Sequence, residues 1–315
     1  MGEAVTMQVA EQVDVERVRQ QVQDLISGGK TLREIANAIG RSDSSLSQFL
    51  SGKYPGERAN AMFAYRLQVY LDLERQRNEA PEKPGFAKTS IASDIWDVLD
   101  YARSSTDIGL VYGPAGIGKT LALKVYAQKH PDTIYIAARP SMRSPKPVIK
   151  KLLHALGNKQ FQPMDEMVDA IIETLAGSRR LIIIDEAQHL TLPALEALRC
   201  IADETGCGIV LSGNKHIYDR MFGRGEAQFA QLWSRVGIRR HLQGPFPIED
   251  VRLIFESSGR RLPEDCLAYL GNMANKPGGI RYVVKLYMLA ANIAVGEDKP
   301  LDLDTLERAR RLLMG

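Results

Sequence analysis

Eight consecutive residues, Gly113 to Thr120 (GPAGIGKT), constrain the fold of this chain most, because they match the phosphate-cradling pattern G-x-x-x-x-G-K-[ST] at every defined position. Such a loop works where a buried strand ends and a helix begins, so that bare amides and the positive end of the helix dipole face the same anion. The flanks meet that demand. Ile108, Leu110 and Val111 read as a buried strand, and Leu121 to Gln128 read as a helix. The main chain through Gly113, Pro114, Ala115, Gly116, Ile117 and Gly118 would wrap the phosphates of ATP. Lys119 would reach the β- and γ-phosphates, Thr120 would ligate Mg2+ through its hydroxyl, and Leu121 would open the helix beside the nucleotide.

Binding phosphate is not hydrolysis, which also needs an acidic strand end. Arg180 to Glu186 (RLIIIDE) runs four aliphatic residues into Asp185 and Glu186, as expected of a central parallel strand buried on both faces. Asp185 is the expected Mg2+ residue, and Glu186 the expected base for the attacking water. A further strand, Gly208 to Ser212 (GIVLS), ends at Gly213-Asn214. There Asn214 would either hold that water from the other side or serve as an ordinary turn residue.

Composition excludes other classes. Hydrophobic residues make up 44% and charged residues 25%, values of an ordinary soluble protein. No apolar run approaches the roughly 20 residues of a membrane span, and no signal core opens the chain. Cys200, Cys207 and Cys266 lack metal-ligand spacing and fit reduced thiols in a cytoplasm. A net charge of +3 is too small to name a partner, so any polyanion site must come from local clustering.

Helical spacing begins with Val15, Val18, Val22, Leu25 and Ile26 and stops at Gly28-Gly29. Thr31 and Glu34 form a capping box that starts a second helix, which carries Ile35, Ala36 and Ile39 inward and ends at Gly40. A third helix follows from about Asp43, with Leu46, Phe49 and Leu50 facing back. This stretch resembles the helix-turn-helix of phage repressors: Ala36 permits a close crossing, Gly40 the left-handed turn, and Leu46 the apolar seat. In that reading Ser44, Ser45, Ser47 and Gln48 would face a major groove. Acids and bases nearly balance in this region, so a helical protein-docking module is the competing expectation. The expected domains are 1–78, a linker over 79–88 rich in proline and charge, an α/β domain over 89–245, and a helical lid over 246–315.

A cationic segment follows the strand Thr133 to Ala137. The segment RPSMRSPKPVIKK carries Arg139, Arg143, Lys146, Lys150 and Lys151 and no acid, in a loop and the first turn of a helix on the nucleotide side of the sheet. Either it is a solvated charged loop or it contacts the backbone of double-stranded DNA. Phe229 to Arg235 (FAQLWSR) reads as a helix ending in an arginine at the domain edge, where Arg235 would act on a neighbouring copy's nucleotide; Arg220, Arg224, Arg239 and Arg240 compete for the role. Four helices close the chain, and the third opens with Gly278-Gly279-Ile280-Arg281, which sets Arg281 where it could reach the γ-phosphate.

Phosphate loop, DE strand, asparagine-tipped strand, edge arginine and G-G-I-R lid, in that order, resemble the Walker A, Walker B, sensor 1, arginine finger and sensor 2 motifs of AAA+ ATPases. The whole chain, with DEAQHL, LSGN and FAQLWSR, resembles the target-DNA activator (transposition protein B) family of Mu-type phages. The resemblance implies an α/β fold: a parallel-sheet AAA+ domain with a C-terminal helical lid, preceded by a small all-α helix-turn-helix domain. It implies a Mg2+-dependent ATPase in the cytoplasm of a bacterial host, a homo-oligomeric filament or ring on DNA with a trans arginine finger, and a transposase partner whose strand transfer it stimulates. Alternatives are a helix-turn-helix signalling NTPase or transcription regulator, a replication initiator or helicase loader, and a motor for protein export or remodelling.

Overall fold

A computed structural model of the chain describes residues 13–79, 81–160, 163–222 and 234–314, without the side chains of 76–79. It divides into two compact units, 1–82 and 83–315.

The first unit is all helical: α1 (Val15–Ser27), α2 (Leu32–Ala38), α3 (Asp43–Leu50) and α4 (Glu57–Glu79). The capping box at the start of α2 is formed, with the Glu34 amide donating to Thr31 Oγ1 at 3.2 Å and the Thr31 amide to Glu34 Oε2 at 2.8 Å. Gly40 takes a left-handed φ of 65°, the turn conformation expected between α2 and α3. Ala36 and Leu46 are fully buried between those helices. Phe49 stacks on Phe63 at 4.8 Å, so α4 supplies the remaining wall of this small core.

The second unit is built on β1 (Ile108–Tyr112), β2 (Thr133–Ala137), β3 (Leu181–Asp185), β4 (Gly208–Gly213) and β5 (Val236–His241), all parallel, in the order β2-β3-β4-β1-β5. The three interior strands are buried at every residue; β2 alternates and β5 is largely exposed. An aliphatic run therefore marks a strand with neighbours on both sides and helices on both faces. β3, expected at the centre, is one place off it, because β4 inserts between β3 and β1.

Alternate side chains of each strand feed two cores. Val111, Leu181, Ile183 and Val210 join α5 (Ser90–Ser105) and α6 (Lys119–Lys129), while Leu110, Ile136, Ile182, Ile184 and Leu211 join α7 (Pro145–Ala155), α8 (Met164–Leu175), α9 (Leu192–Thr205) and α10 (Lys215–Phe222). Helix α5 lies unusually close to the sheet. A Cβ at Gly208 would sit 2.1 Å from the Ala102 carbonyl oxygen, a backbone atom that cannot swing aside. Gly208→Ala is therefore expected to cost at least about 2 kcal/mol through overpacking. Calorimetry should show a melting temperature lower by roughly 4–8 °C.

The lid comprises α11 (Ile248–Glu256), α12 (Glu264–Ala274), α13 (Gly279–Gly296) and α14 (Leu303–Met314), and its apolar faces merge with the α5 side of the sheet in one core. Buried Asp250 fastens it by accepting from the Ser90 amide at 2.9 Å and the Ser90 hydroxyl at 2.6 Å. Among the described residues no helix is long and apolar enough to cross a membrane.

Candidate nucleotide site

Because all five strands run one way, β1, β4 and β3 end side by side on one edge of the sheet. Gly113, Asn214 and Asp185-Glu186 are thereby neighbours, although widely spaced in sequence. Crossover connections leave a crevice at such an edge, where ligands of open α/β sheets bind.

The loop after β1 has the conformation that its glycines permit. Gly116 and Gly118 adopt φ of 86° and 99°, which side chains resist. A Cβ at Gly113 would lie 2.3 Å from the Leu242 carbonyl oxygen, and one at Gly116 would lie 2.2 Å from that of Gly278. The lid thus touches the loop directly: the Arg281 amide donates to the Gly116 carbonyl at 2.9 Å. Pro114, Ala115, Gly118 and Leu121 face solvent, Gly113 and Ile117 are buried, and the Arg281 side chain is exposed on the lid.

Lys119 folds back over the loop, donating to the Gly113 and Pro114 carbonyls at 2.8 and 2.7 Å. Burial lowers its pKa, the carboxylates of Glu186 and Asp185 act to raise it, and Arg281 lowers it again. Those four charges therefore share one electrostatic neighbourhood. Asp185 is only 1% exposed, and its Oδ2 accepts from Thr120 Oγ1 at 2.7 Å and from Tyr135 OH at 3.0 Å. Burial and this carboxylate push the Tyr135 phenol well above its ordinary pKa, so it remains a donor.

A threonine hydroxyl beside a buried carboxylate at the mouth of a glycine-lined loop is a hard-oxygen donor set suited to Mg2+. The bare amides and Lys119 suit a triphosphate. The residues therefore fit ATP with a divalent ion.

Glu186 has a left-handed backbone, φ 56° and ψ 35°, sparsely populated by residues with a side chain, and begins a short 3-10 turn over Ala187–His189. Its Oε2 accepts from Gln188 Nε2, while Gln188 Oε1 accepts from the Asn214 amide at 3.3 Å. One glutamine thus ties the acidic strand to the tip of β4. Asn214 Oδ1 caps α10 by accepting from the His216 amide at 3.0 Å, so the side chain does the work of a turn residue as well. Sequence reasoning missed Gln188 and Tyr135; the available signals were a long polar residue two places beyond Glu186 and the one aromatic in TIYIA.

Other expected residues lie apart. Arg235 stands at the amino end of β5, its carbonyl accepting from the Ile108 amide, about five residues or roughly 17 Å along the strands from its own phosphate loop. Its guanidinium pairs with Asp203 at 3.2 Å. The rest of the expected helix, Phe229 to Trp233, and Arg224 lie outside the described residues. Arg139, Arg143, Lys146 and Lys150 are exposed beyond the carboxyl end of β2, on the phosphate-loop edge. Lys151 differs from them: its ammonium turns inward to the Ala137 carbonyl at 2.9 Å, and burial lowers its pKa. Lys150 and Lys151 also sit in the second turn of α7 rather than the first, because the helix begins at Pro145. In the first unit Gln48 is exposed, but Ser45 is half-buried with its hydroxyl 2.8 Å from that of Ser42 at the cap of α3.

A parallel sheet of this order, with the glycine loop after β1, the DE strand at β3 and a helical lid resting on the loop, defines an AAA-type ATPase that binds ATP. Residues 102–221 match the AAA domain family. In its fold the chain is similar to the Aeropyrum pernix ORC2 protein in its ADP form, with a TM-score of 0.54 and 18% identity over 75% of this chain and 71% of that one.

The chain belongs to the transposition protein B family. It is 32% identical over 285 residues to the ATP-dependent target DNA activator B of Escherichia phage Mu, covering 90% of each. It is 30% identical over 261 residues to the Mu-like prophage FluMu DNA transposition protein B of Haemophilus influenzae, covering 82% of this chain and 90% of that one.

Proposed function

We propose that this chain is an ATP-dependent, largely sequence-non-specific DNA-binding ATPase that assembles on target DNA and delivers it to a transposase, whose strand transfer it stimulates. The observation that carries the reading is the separation of Arg235 from the phosphate loop across the length of the sheet. An arginine at the amino edge cannot serve its own nucleotide, but it can meet the γ-phosphate of a neighbouring copy in a filament or ring. The names of the phage relatives supply the DNA target.

In this mechanism Lys119 exchanges the Gly113 and Pro114 carbonyls for β- and γ-phosphate oxygens. Mg2+, held by Thr120 and Asp185, would neutralise charge on those oxygens. Glu186 takes the proton of the attacking water, Asn214 orients that water through its amide, and Arg281 reaches the γ-phosphate from the lid. Arg235 of one copy and the nucleotide of the next form the joint, so assembly depends on the γ-phosphate. Assembly aligns the Arg139 to Lys150 segments along a duplex, where weak phosphate contacts sum by multivalency. The first unit, taken as residues 1–78 before the 79–88 linker, adds groove or protein contacts through α3, on which Gln48 is exposed. The α/β body is taken as 89–245 and the lid as 246–315.

Replacing Arg143, Lys146 and Lys150 together by alanine is expected to weaken duplex binding with ATP and to flatten its salt dependence by about 3 in log–log slope, near 0.9 for each phosphate no longer neutralised. Titrations of random-sequence duplex at several salt concentrations measure this, and an unchanged slope would move the DNA site elsewhere. Electron microscopy with ATP against ADP tests assembly. A footprint confined to one sequence would favour the operator-binding regulator instead.

A further inference from the structure

Helix α9 carries a run of alternating charges toward the amino edge of the sheet: Glu196, Arg199 and Asp203, with Arg235 beyond them. Arg199 donates from Nε to Glu196 Oε2 at 2.7 Å and from Nη1 to Asp203 Oδ2 at 2.5 Å. Asp203 Oδ1 faces Arg235 Nε at 3.2 Å. Residues three and four apart share one face of a helix, so the first three groups are braced on a single rigid element. Exposure rises along the run: the side chain of Arg199 is 17% exposed, that of Asp203 27% and that of Arg235 55%. A fixed network thus ends on an open guanidinium.

Asp203 lies in the last turn of α9, where the negative end of the helix dipole disfavours a carboxylate. Two arginines, one at each oxygen, offset that. The side from which Arg235 is held matters as well. A guanidinium has Nε on one flank and two Nη groups at its tip. Asp203 approaches the Nε flank, which leaves the tip for the paired oxygens of a phosphate. The competing arginines are engaged differently. Arg220 donates through Nη1 to the Gln188 and Leu190 carbonyls, Arg240 donates through Nη2 to Asp94, and the Arg239 guanidinium lies over the Phe222 ring at 4.7 Å.

We propose that Asp203, braced by Arg199, is a positioning residue: it holds Arg235 by the Nε flank, so that the guanidinium tip is already aimed when it meets the γ-phosphate of ATP on a neighbouring copy. The inference rests on the trans role given to Arg235 above. An arginine side chain gives up much rotamer freedom when it is immobilised. Holding it in the free subunit means that this freedom is lost before assembly rather than during it, which is how preorganisation strengthens a joint. The carboxylate stays on Nε while the tip engages, so the two contacts do not compete.

The test uses the full chain with ATP and random-sequence duplex. Asp203→Asn keeps the size of the side chain and removes its charge, Arg235→Ala removes the guanidinium, and a third protein carries both changes. Asp203→Asn is expected to lower hydrolysis in assemblies on duplex about two- to fivefold, the worth of a partly exposed ion pair. Its affinity for a fluorescent ATP analogue should be unchanged, because its own phosphate loop lies at the opposite edge of the sheet. Added to Arg235→Ala, the same change should lower hydrolysis no further, as expected of a residue that acts only through Arg235.

An equal fall in the presence and absence of Arg235 would make Asp203 a structural residue of α9 and overturn the proposal. Weakened binding of the analogue would place its effect within its own subunit and overturn it too. Faster hydrolysis in Asp203→Asn would turn the pair into a latch that competes with the phosphate, the opposite of the role assigned. Wild-type hydrolysis in Asp203→Asn beside an inactive Arg235→Ala defeats this inference alone, whereas an Arg235→Ala protein that assembles and hydrolyses normally defeats the trans reading of Arg235 itself.

Discussion

Lys119→Ala is expected to lower ATP hydrolysis about 1,000-fold and to abolish ATP-dependent assembly on DNA. Lys119 is the cation that the loop itself carries into the cradle, and it already spans to the Gly113 and Pro114 carbonyls. Burial lowers its pKa, and the carboxylates of Glu186 and Asp185 act against that, so its amino group shares one electrostatic neighbourhood with both acids. Alanine removes a charge-assisted donor from a half-buried phosphate site, where such contacts are worth more than at the open surface. The fold should persist, since the lysine's bonds stay within its own loop; circular dichroism checks that. Binding of a fluorescent ATP analogue and phosphate release with duplex measure the two losses. Near-normal nucleotide affinity would dislodge Lys119 from the proposed mechanism.

Glu186→Gln separates binding from chemistry. An amide keeps the shape but cannot take a proton, so hydrolysis is expected to fall by about 100- to 10,000-fold, the usual worth of a general base. The phosphate loop, Thr120 and Asp185 are untouched, so ATP should bind and stay. Assemblies on duplex should then outlast those of the wild type, because the γ-phosphate that is proposed to draw Arg235 from the neighbour is not removed. Filter binding or single-molecule dwell times read this directly. If Lys119→Ala and Glu186→Gln had the same DNA affinity with and without ATP, the link between nucleotide and assembly would be gone.

How much of this was legible differs from element to element. The aliphatic runs of β1, β3 and β4 announce interior strands, since only a strand covered on both faces tolerates such a run. Thr31 and Glu34 mark a helix start, and Gly40 its stop, through contacts within a few residues. Nothing local reveals that β4 separates β1 from β3, because strand order follows from how the crossover helices pack. The hydrogen bond from Asn214 to Gln188 joins residues 26 apart, and a cavity near it draws its walls from three separate segments. Lys151 looks like its cationic neighbours in sequence, yet it turns inward to Ala137 while Lys150 faces outward.

The sequence by itself determined which chemistry is present: a glycine loop with Lys119 and Thr120, an acidic strand end, a capped helical first unit and a helical close. Each of these is written in patterns a few residues long, where backbone conformation and hydrogen bonding are local. Only the tertiary structure decided where that chemistry meets. Parallel packing set the strand ends on one edge and Arg235 on the other, and it hung Glu186 on Gln188. Those placements depend on contacts between distant segments, whose free energy is shared over the whole core and belongs to no single stretch of chain.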